Sequence, residues 1–183
     1  MQISQPGQHP AEASFELPLV MLSACHGRIQ QQCQALQRLL PHLALHGADA
    51  AARSAAAAVL RYFDSAAVHH HADEECDLFP ALIDSMAGSD AHCLRDLIAR
   101  LTREHRELES LWQALGTPLQ RVAAGQASDL DPAQVQAWID LYTRHIECEE
   151  RELLPMAARL IGAAELDRVG RAMRHRRGID AVL

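Results

Sequence analysis

The chain has 183 residues and a mass of 20.2 kDa, with 49% apolar and 22% charged residues, a balance that excludes wholesale disorder and suits one well-buried domain. Its formal charge is −7 and all 17 basic residues are arginine, so its acidic surface argues against nucleic acid as a partner. About a sixth of the chain is alanine, aromatics are only 4%, and glycine and proline are sparse, which favours helices and excludes an all-β fold.

Five cysteines with no Cys-x-x-Cys spacing fit neither a disulfide scaffold nor a zinc knuckle, and suit a reducing cytoplasm. Leu22-Ser23-Ala24-Cys25 resembles a lipoprotein cleavage box, but no arginine or lysine precedes Leu17, whereas Glu12 and Glu16 do. No apolar run approaches the roughly 20 residues of a membrane-spanning helix. The expectation is a soluble, unprocessed, cytoplasmic protein with no membrane partner.

In chain order, residues 1–16 read as a loosely packed arm with Pro6, Gly7 and Pro10. A first helix begins near Pro18 and runs to about Leu45, its inward stripe being Leu19, Leu22, His26, Ile29, Cys33, Leu36 and Leu40. Gly47 stops it and Asp49 caps the next, whose stripe is Val59, Phe63, Ala66, His70, Glu74 and Leu78, ending around Met86 to Gly88. Ser89 or Asp90 caps a third helix carrying Leu94, Leu97, Leu101, His105, Leu108, Trp112 and Leu115, which Pro118 bends or ends. Asp131-Pro132 starts a fourth with Trp138, Leu141, His145, Glu149 and Leu153, and a short fifth helix covers Ala163 to Met173. The fold class expected is all-α: an up-down-up-down antiparallel four-helix bundle over residues 17–162, followed by a short fifth helix and tail over 163–183. Arg168, Arg171, Arg174, Arg176 and Arg177 make this last helix locally basic, read as a solvated helix end.

Each of the four long stripes, which should be apolar throughout, holds a histidine, and two hold a glutamate one turn on. Burying a carboxylate costs several kcal/mol unless something positive compensates it. The pattern repeats internally. His70-x3-Glu74-x3-Leu78-Phe79-Pro80 returns as His145-x3-Glu149-x3-Leu153-Leu154-Pro155, while His26 and His105 each precede a Gln-Ala-Leu at the same distance. Residues four apart share a helix face and can reach one ion together. Two such hairpins bring His26, His70, His105, His145, Glu74 and Glu149 together, an inventory for two metal ions. With two histidines, one oxygen from each of two bridging carboxylates and a shared oxo or hydroxo group, each ion keeps one open position, and the donor set suits iron. The repeat selects His70 rather than His71, because His71 would align with Ile146. His69 and His71 are then surface or supporting residues, and Glu75 and Glu150 are expected to point outward.

These residues resemble the hemerythrin-like family, the bacterial His-His-Glu cation-binding domains, across roughly residues 17 to 160. The resemblance implies a four-helix bundle with a non-haem di-iron centre held by His26, His70, Glu74, His105, His145 and Glu149. No Glu-x-x-His occurs, which excludes the ferritin-like di-iron arrangement. The oxygen-carrying hemerythrins have a further histidine where this chain has Glu109, and an aspartate as the late ligand. The set here looks like the four-histidine, two-glutamate type associated with nitric-oxide response and iron-sulfur repair, proteins that typically carry an extra N-terminal cysteine-containing domain. Glu109 is either a seventh ligand or a solvated residue.

Trp112 and Trp138 wall off the core or gate small ligands, and Tyr142 either packs or donates a hydrogen bond to a bound oxygen species. Cys25, Cys33, Cys76 and Cys148 fall near the ligands as buried small hydrophobes or as a thiol sensor. His9, His42, His46, His92 and His175 have no partner at ligand spacing and read as surface residues. Function divides into two classes: binding of O2, NO or peroxide at an open iron position in sensing or storage of gas or iron, or an enzyme that reduces peroxide or nitric oxide or delivers iron for iron-sulfur cluster repair. The first is favoured, because no electron-donor domain or flavin motif accompanies the site. The partners expected are a small diatomic ligand or peroxide, with a homodimer or redox partner protein left open.

Overall fold

The computed structural model describes residues 14–86, 91–127 and 129–179, which form five helices and no strand. Helix α1, Pro18–His46, opens with a proline in its first turn, where the missing N–H has no helical partner to lose. It ends at Gly47, whose φ of 65° closes the helix with an N–H bond to the Leu43 carbonyl. Two residues on, the Asp49 carboxylate accepts from the Ala52 N–H at 2.8 Å and starts α2, which spans 50–84. Helix α3 is Ala91–Ala123, α4 spans 132–160, and α5 is Ala163–Arg176. Asp131 accepts from the Ala133 N–H at 2.9 Å and begins α4 ahead of Pro132, as the sequence suggests.

Some boundaries differ from expectation. Helix α2 stops at Asp84, short of Met86, and α5 runs on to Arg176. Ser89 and Asp90, the expected cap of α3, lie outside the described residues, as do residues 1–13 of the arm. Pro118 does not end α3, which continues to Ala123. Leu115, Leu119 and Val122 are all buried on this last stretch, and their packing outweighs the one ladder bond a proline removes.

Helices α2 and α4 are not regular. In α2, π-helical turns at Tyr62–Ala66 and Glu74–Leu78 interrupt the α-helical ladder, and in α4 one does so at Glu149–Leu153. The last two are equivalent in the internal repeat. In each, the glutamate carbonyl accepts from the N–H five residues on, Phe79 or Leu154, and a proline follows, Pro80 or Pro155. A proline has no N–H and its ring crowds the carbonyl four residues back, so a wider turn just ahead relieves the conflict.

Around the bundle α1 packs on α2, α2 on α3, α3 on α4 and α4 on α1, with α5 against α1 and α2. Two apolar clusters fill it. One contains Ile29, Leu36, Val59, Phe63, Leu108, Leu115, Trp138 and Ile146; the other contains Leu22, Leu78, Leu82, Leu101, Leu153 and Met173. Along each long helix the histidines and glutamates fall between the residues of the two clusters. Close docking of α5 depends on Gly170, because the Phe15 carbonyl occupies the place where a Cβ would lie.

Candidate metal centre

His26, His70, His105, His145, Glu74 and Glu149 are all buried, none more than 2% exposed, and they converge from four helices. The carboxylate oxygens sort the histidines into pairs. Glu74 Oε1 lies 3.5 Å from His70 Nε2 and 4.0 Å from His26 Nε2, while its Oε2 lies 3.4 Å from His105 Nε2. Glu149 is the mirror of this: Oε2 is 3.1 Å from His26 Nε2, and Oε1 is 3.1 Å from His145 Nε2 and 4.0 Å from His105 Nε2. Two donor clusters result, His26–His70–Glu74–Glu149 and Glu74–His105–His145–Glu149, each with its ligand atoms within 4.8 Å of one another. Each could hold one ion with two imidazoles and an oxygen from each carboxylate.

The polar atoms fit such an ion. All four carboxylate oxygens of Glu74 and Glu149, and both ring nitrogens of His70, are buried without a hydrogen-bond partner. Buried polar atoms left this way cost free energy that coordination would recover. Without an ion the charges distort one another. Burial and the Glu149 carboxylate raise the pKa of Glu74 well above the usual carboxylate range. Burial acts in the same sense on Glu149, but His145 and His26 outweigh it and hold Glu149 well below that range. His26 is lifted to about 9 because Glu149, Glu74 and Glu150 overcome the opposing effect of burial. His70 is driven well below its ordinary value by burial and by the neighbouring imidazoles.

The model of the hemerythrin HHE cation-binding domain matches residues 17–157. The chain belongs to this family. It is also 33% identical over 179 residues to an uncharacterized protein of Haemophilus influenzae, a match covering 98% of this chain and 99% of the relative. The cation-binding function of the HHE domain accords with the buried clusters of histidine and glutamate.

Around the HHE donors the structure corrects several expectations. Glu75 and Glu150 do not point away. Glu75 accepts from His105 Nδ1–H at 2.7 Å across the α2–α3 seam, and Glu150 accepts from His26 Nδ1–H at 2.6 Å across the α4–α1 seam. Glu104 does the same for His145 Nδ1 at 2.9 Å, a role the sequence reading missed. These contacts put the proton of three imidazoles on Nδ1 and leave Nε2 free to ligate. His71, expected at the surface or in support of the ligands, takes the supporting place. Its ring stacks on His105 with centroids 4.0 Å apart and planes 12° apart, and its Nε2 is 3.4 Å from the Tyr142 hydroxyl. Glu109 is exposed, pairs with Arg106 at 3.6 Å, and belongs to neither donor cluster.

Asp73, next to Glu74, is completely buried and was not singled out from sequence. Arg176 at the end of α5 and Arg177 just after it both bond to its carboxylate, Arg177 Nη2 at 2.6 Å, and Arg176 also reaches Asp77 at 2.6 Å. Two arginines of the supposedly solvated helix end are therefore internal ion-pair partners. An Asp four residues from Asp77 on α2, facing a run of arginines, was the available signal.

Trp138 is fully buried and donates to the Leu108 carbonyl at 3.2 Å; Trp112 is half-buried and donates to Asp64 at 2.9 Å. Tyr142 is buried, and its hydroxyl lies 3.4 Å from His71 Nε2. Cys25 and Cys33 are buried, and burial pushes the Cys33 thiol up to about 12. Cys76 and Cys93 are exposed, and Cys148 accepts from Arg100 at 2.7 Å. His42 bonds to Asp49 at 2.9 Å and His92 is exposed; His9 lies outside the described residues.

Proposed function

We propose that this chain binds two iron ions in the bundle core, one held by His26 and His70, the other by His105 and His145, with Glu74 and Glu149 shared between them. The observation that carries the reading is the division of the two carboxylates, each of which presents a different oxygen to each histidine pair. The helix contacts described above support an up-down-up-down bundle as the frame. Bound iron would supply a redox-active Lewis acid able to take a small ligand. The protein's own part is to fix the imidazoles through Glu75, Glu104 and Glu150 and to exclude bulk water with its two apolar clusters. On this reading it binds O2, NO or peroxide, in sensing or storage of gas or iron. The five unpaired thiols support a reducing, cytoplasmic setting.

The test is metal content and ultraviolet-visible spectra of protein from iron-supplemented cells, taken oxidised, reduced without air, and after air exposure. Two irons per chain with absorption that changes on exposure are expected. No iron, or one zinc and a featureless spectrum, overturns the reading. Peroxide consumption over many turnovers, rather than a single reaction, would make it the redox enzyme instead.

A further inference from the structure

The two donor clusters have the same composition, yet among the described residues a cleft lies beside the His105–His145 half, where His71 lines it. It has a volume of about 310 Å³ and lies between α2, α3 and α4. Phe63, Trp112, Trp138 and Tyr142 form an aromatic wall, and Val68, 57% exposed, stands at its mouth. His71 is the single residue that both lines this cleft and belongs to a cluster of ligating atoms, with His105 and His145. Its ring stacks on His105 with planes 12° apart, and its Nε2 lies 3.4 Å from the Tyr142 hydroxyl. That geometry makes His71 a wall and a hydrogen-bonding group rather than a further ligand. The six donors line neither this cleft nor the groove of Leu19, Val20, Glu150 and Leu154 between α1 and α4, and that groove also lacks any residue of the His71–His105–His145 cluster.

We propose that the aromatic cleft is the entry route for a small uncharged ligand to the His105–His145 half of the site, and that His71, held by Tyr142, is the positioning residue at its inner end. The aromatic wall suits an uncharged molecule, since the charged side chains that also line the cleft, Glu75, Arg106 and Glu109, are paired with one another. The inference rests on the metal reading above and adds which half is reached and from where. It treats the halves as inequivalent, although their donors are the same.

Nitric oxide serves as the probe, added to reduced, iron-loaded protein, with iron per chain and melting temperature measured on every variant. Val68→Phe fills the mouth and is expected to slow association about tenfold. The same change in the other groove, Val20→Phe, is expected to leave the rate alone. His71→Phe keeps the stacked ring but loses the hydrogen bond, and is expected to speed dissociation about fivefold with association unchanged. In metal-free protein, Val68→Phe is expected to reduce acrylamide quenching of tryptophan fluorescence, because Trp138 lines the same cleft. Unchanged association in Val68→Phe, or equal slowing in Val20→Phe, overturns the route. Unchanged dissociation in His71→Phe overturns the role of His71. Failure of the wild type to take up iron would be visible directly in the metal analysis, and would instead sink the reading on which the route depends.

Discussion

On the α1 side of the bundle, His26 and His70 meet edge to face with centroids 4.8 Å apart, and only His26 has a carboxylate on its Nδ1. On the α3–α4 side, His105 and His145 both have one, their Nε2 atoms are 3.0 Å apart, and a fifth imidazole covers His105. An internal repeat can thus copy a donor set without copying its surroundings. Donors are fixed by spacing along one helix, whereas surroundings come from neighbouring helices that diverge independently. The two halves should bind similar ions and differ in how firmly they orient and expose them.

The comparison breaks most completely at the shared carboxylates. Glu149→Ala is expected to leave less than one metal ion per chain, because both halves use it, whereas His70→Ala should empty one half and leave about one ion, read by metal analysis. Retention of two ions by Glu149→Ala would rule out sharing. Chelating the metal from the wild type is expected to lower stability by about 3–5 kcal/mol, the scale of an unpaired buried charge, measured by denaturant melts with and without metal. Asp73→Ala is expected to cost about 3 kcal/mol, at the lower end of that range because the arginines it releases are partly exposed. A melt of Asp73→Ala within experimental error of the wild type would contradict the burial.

Finer discrimination comes from the supporting carboxylates. Glu75→Gln and Glu150→Gln should each weaken metal binding about 10–100-fold, Glu75→Gln through the His105 half and Glu150→Gln through the His26 half. Titration with a chelator competitor, followed by spectra, would show whether each loss stays in its own half. The smallest effect concerns the thiols. A neutral alkylating reagent at mildly alkaline pH should label exposed Cys76 and Cys93 first and spare Cys33, whose thiol stays protonated until the pH nears 12. Early labelling of Cys33, mapped by mass spectrometry, would mean that the core opens readily.

The helices and the convergence of the six buried histidines and glutamates were legible in the sequence because each rests on a local period: apolar residues every three or four positions, and His-x3-Glu twice. What was not legible depends on where a long side chain ends rather than where its Cα begins. Glu75 and Glu150 lie about 100° around the helix from the donors, so a helical wheel turns them outward. Three side-chain torsions are enough to bring their carboxylates back across a seam to a neighbouring imidazole. His71 was left between the surface and a supporting place, because its alignment with Ile146 says nothing of a ring stacked on another helix. Asp73 needed knowledge of where α5 docks. Pro118 shows the reverse error, since a local rule suggested a stop where tertiary packing carried the helix on.

The wide turns that open at Glu74 and Glu149 also govern phase. Inward residues around them step by four, as in His70, Glu74 and Leu78 or His145, Glu149 and Leu153, and four residues of regular α-helix overshoot a full turn by about 40°. Two such steps would carry the stripe off the interior, so the extra residue in the wide turn brings the helix back into phase. Winding the same residues as a regular ladder, with none removed, would rotate everything after the turn by about 100°. Leu78 and Leu82, or Leu153 and Ala157, would then swing out of the apolar cluster that closes this end of the bundle. The irregularity therefore acts as a vernier, letting one continuous helix place a buried glutamate and an apolar seal on the same line.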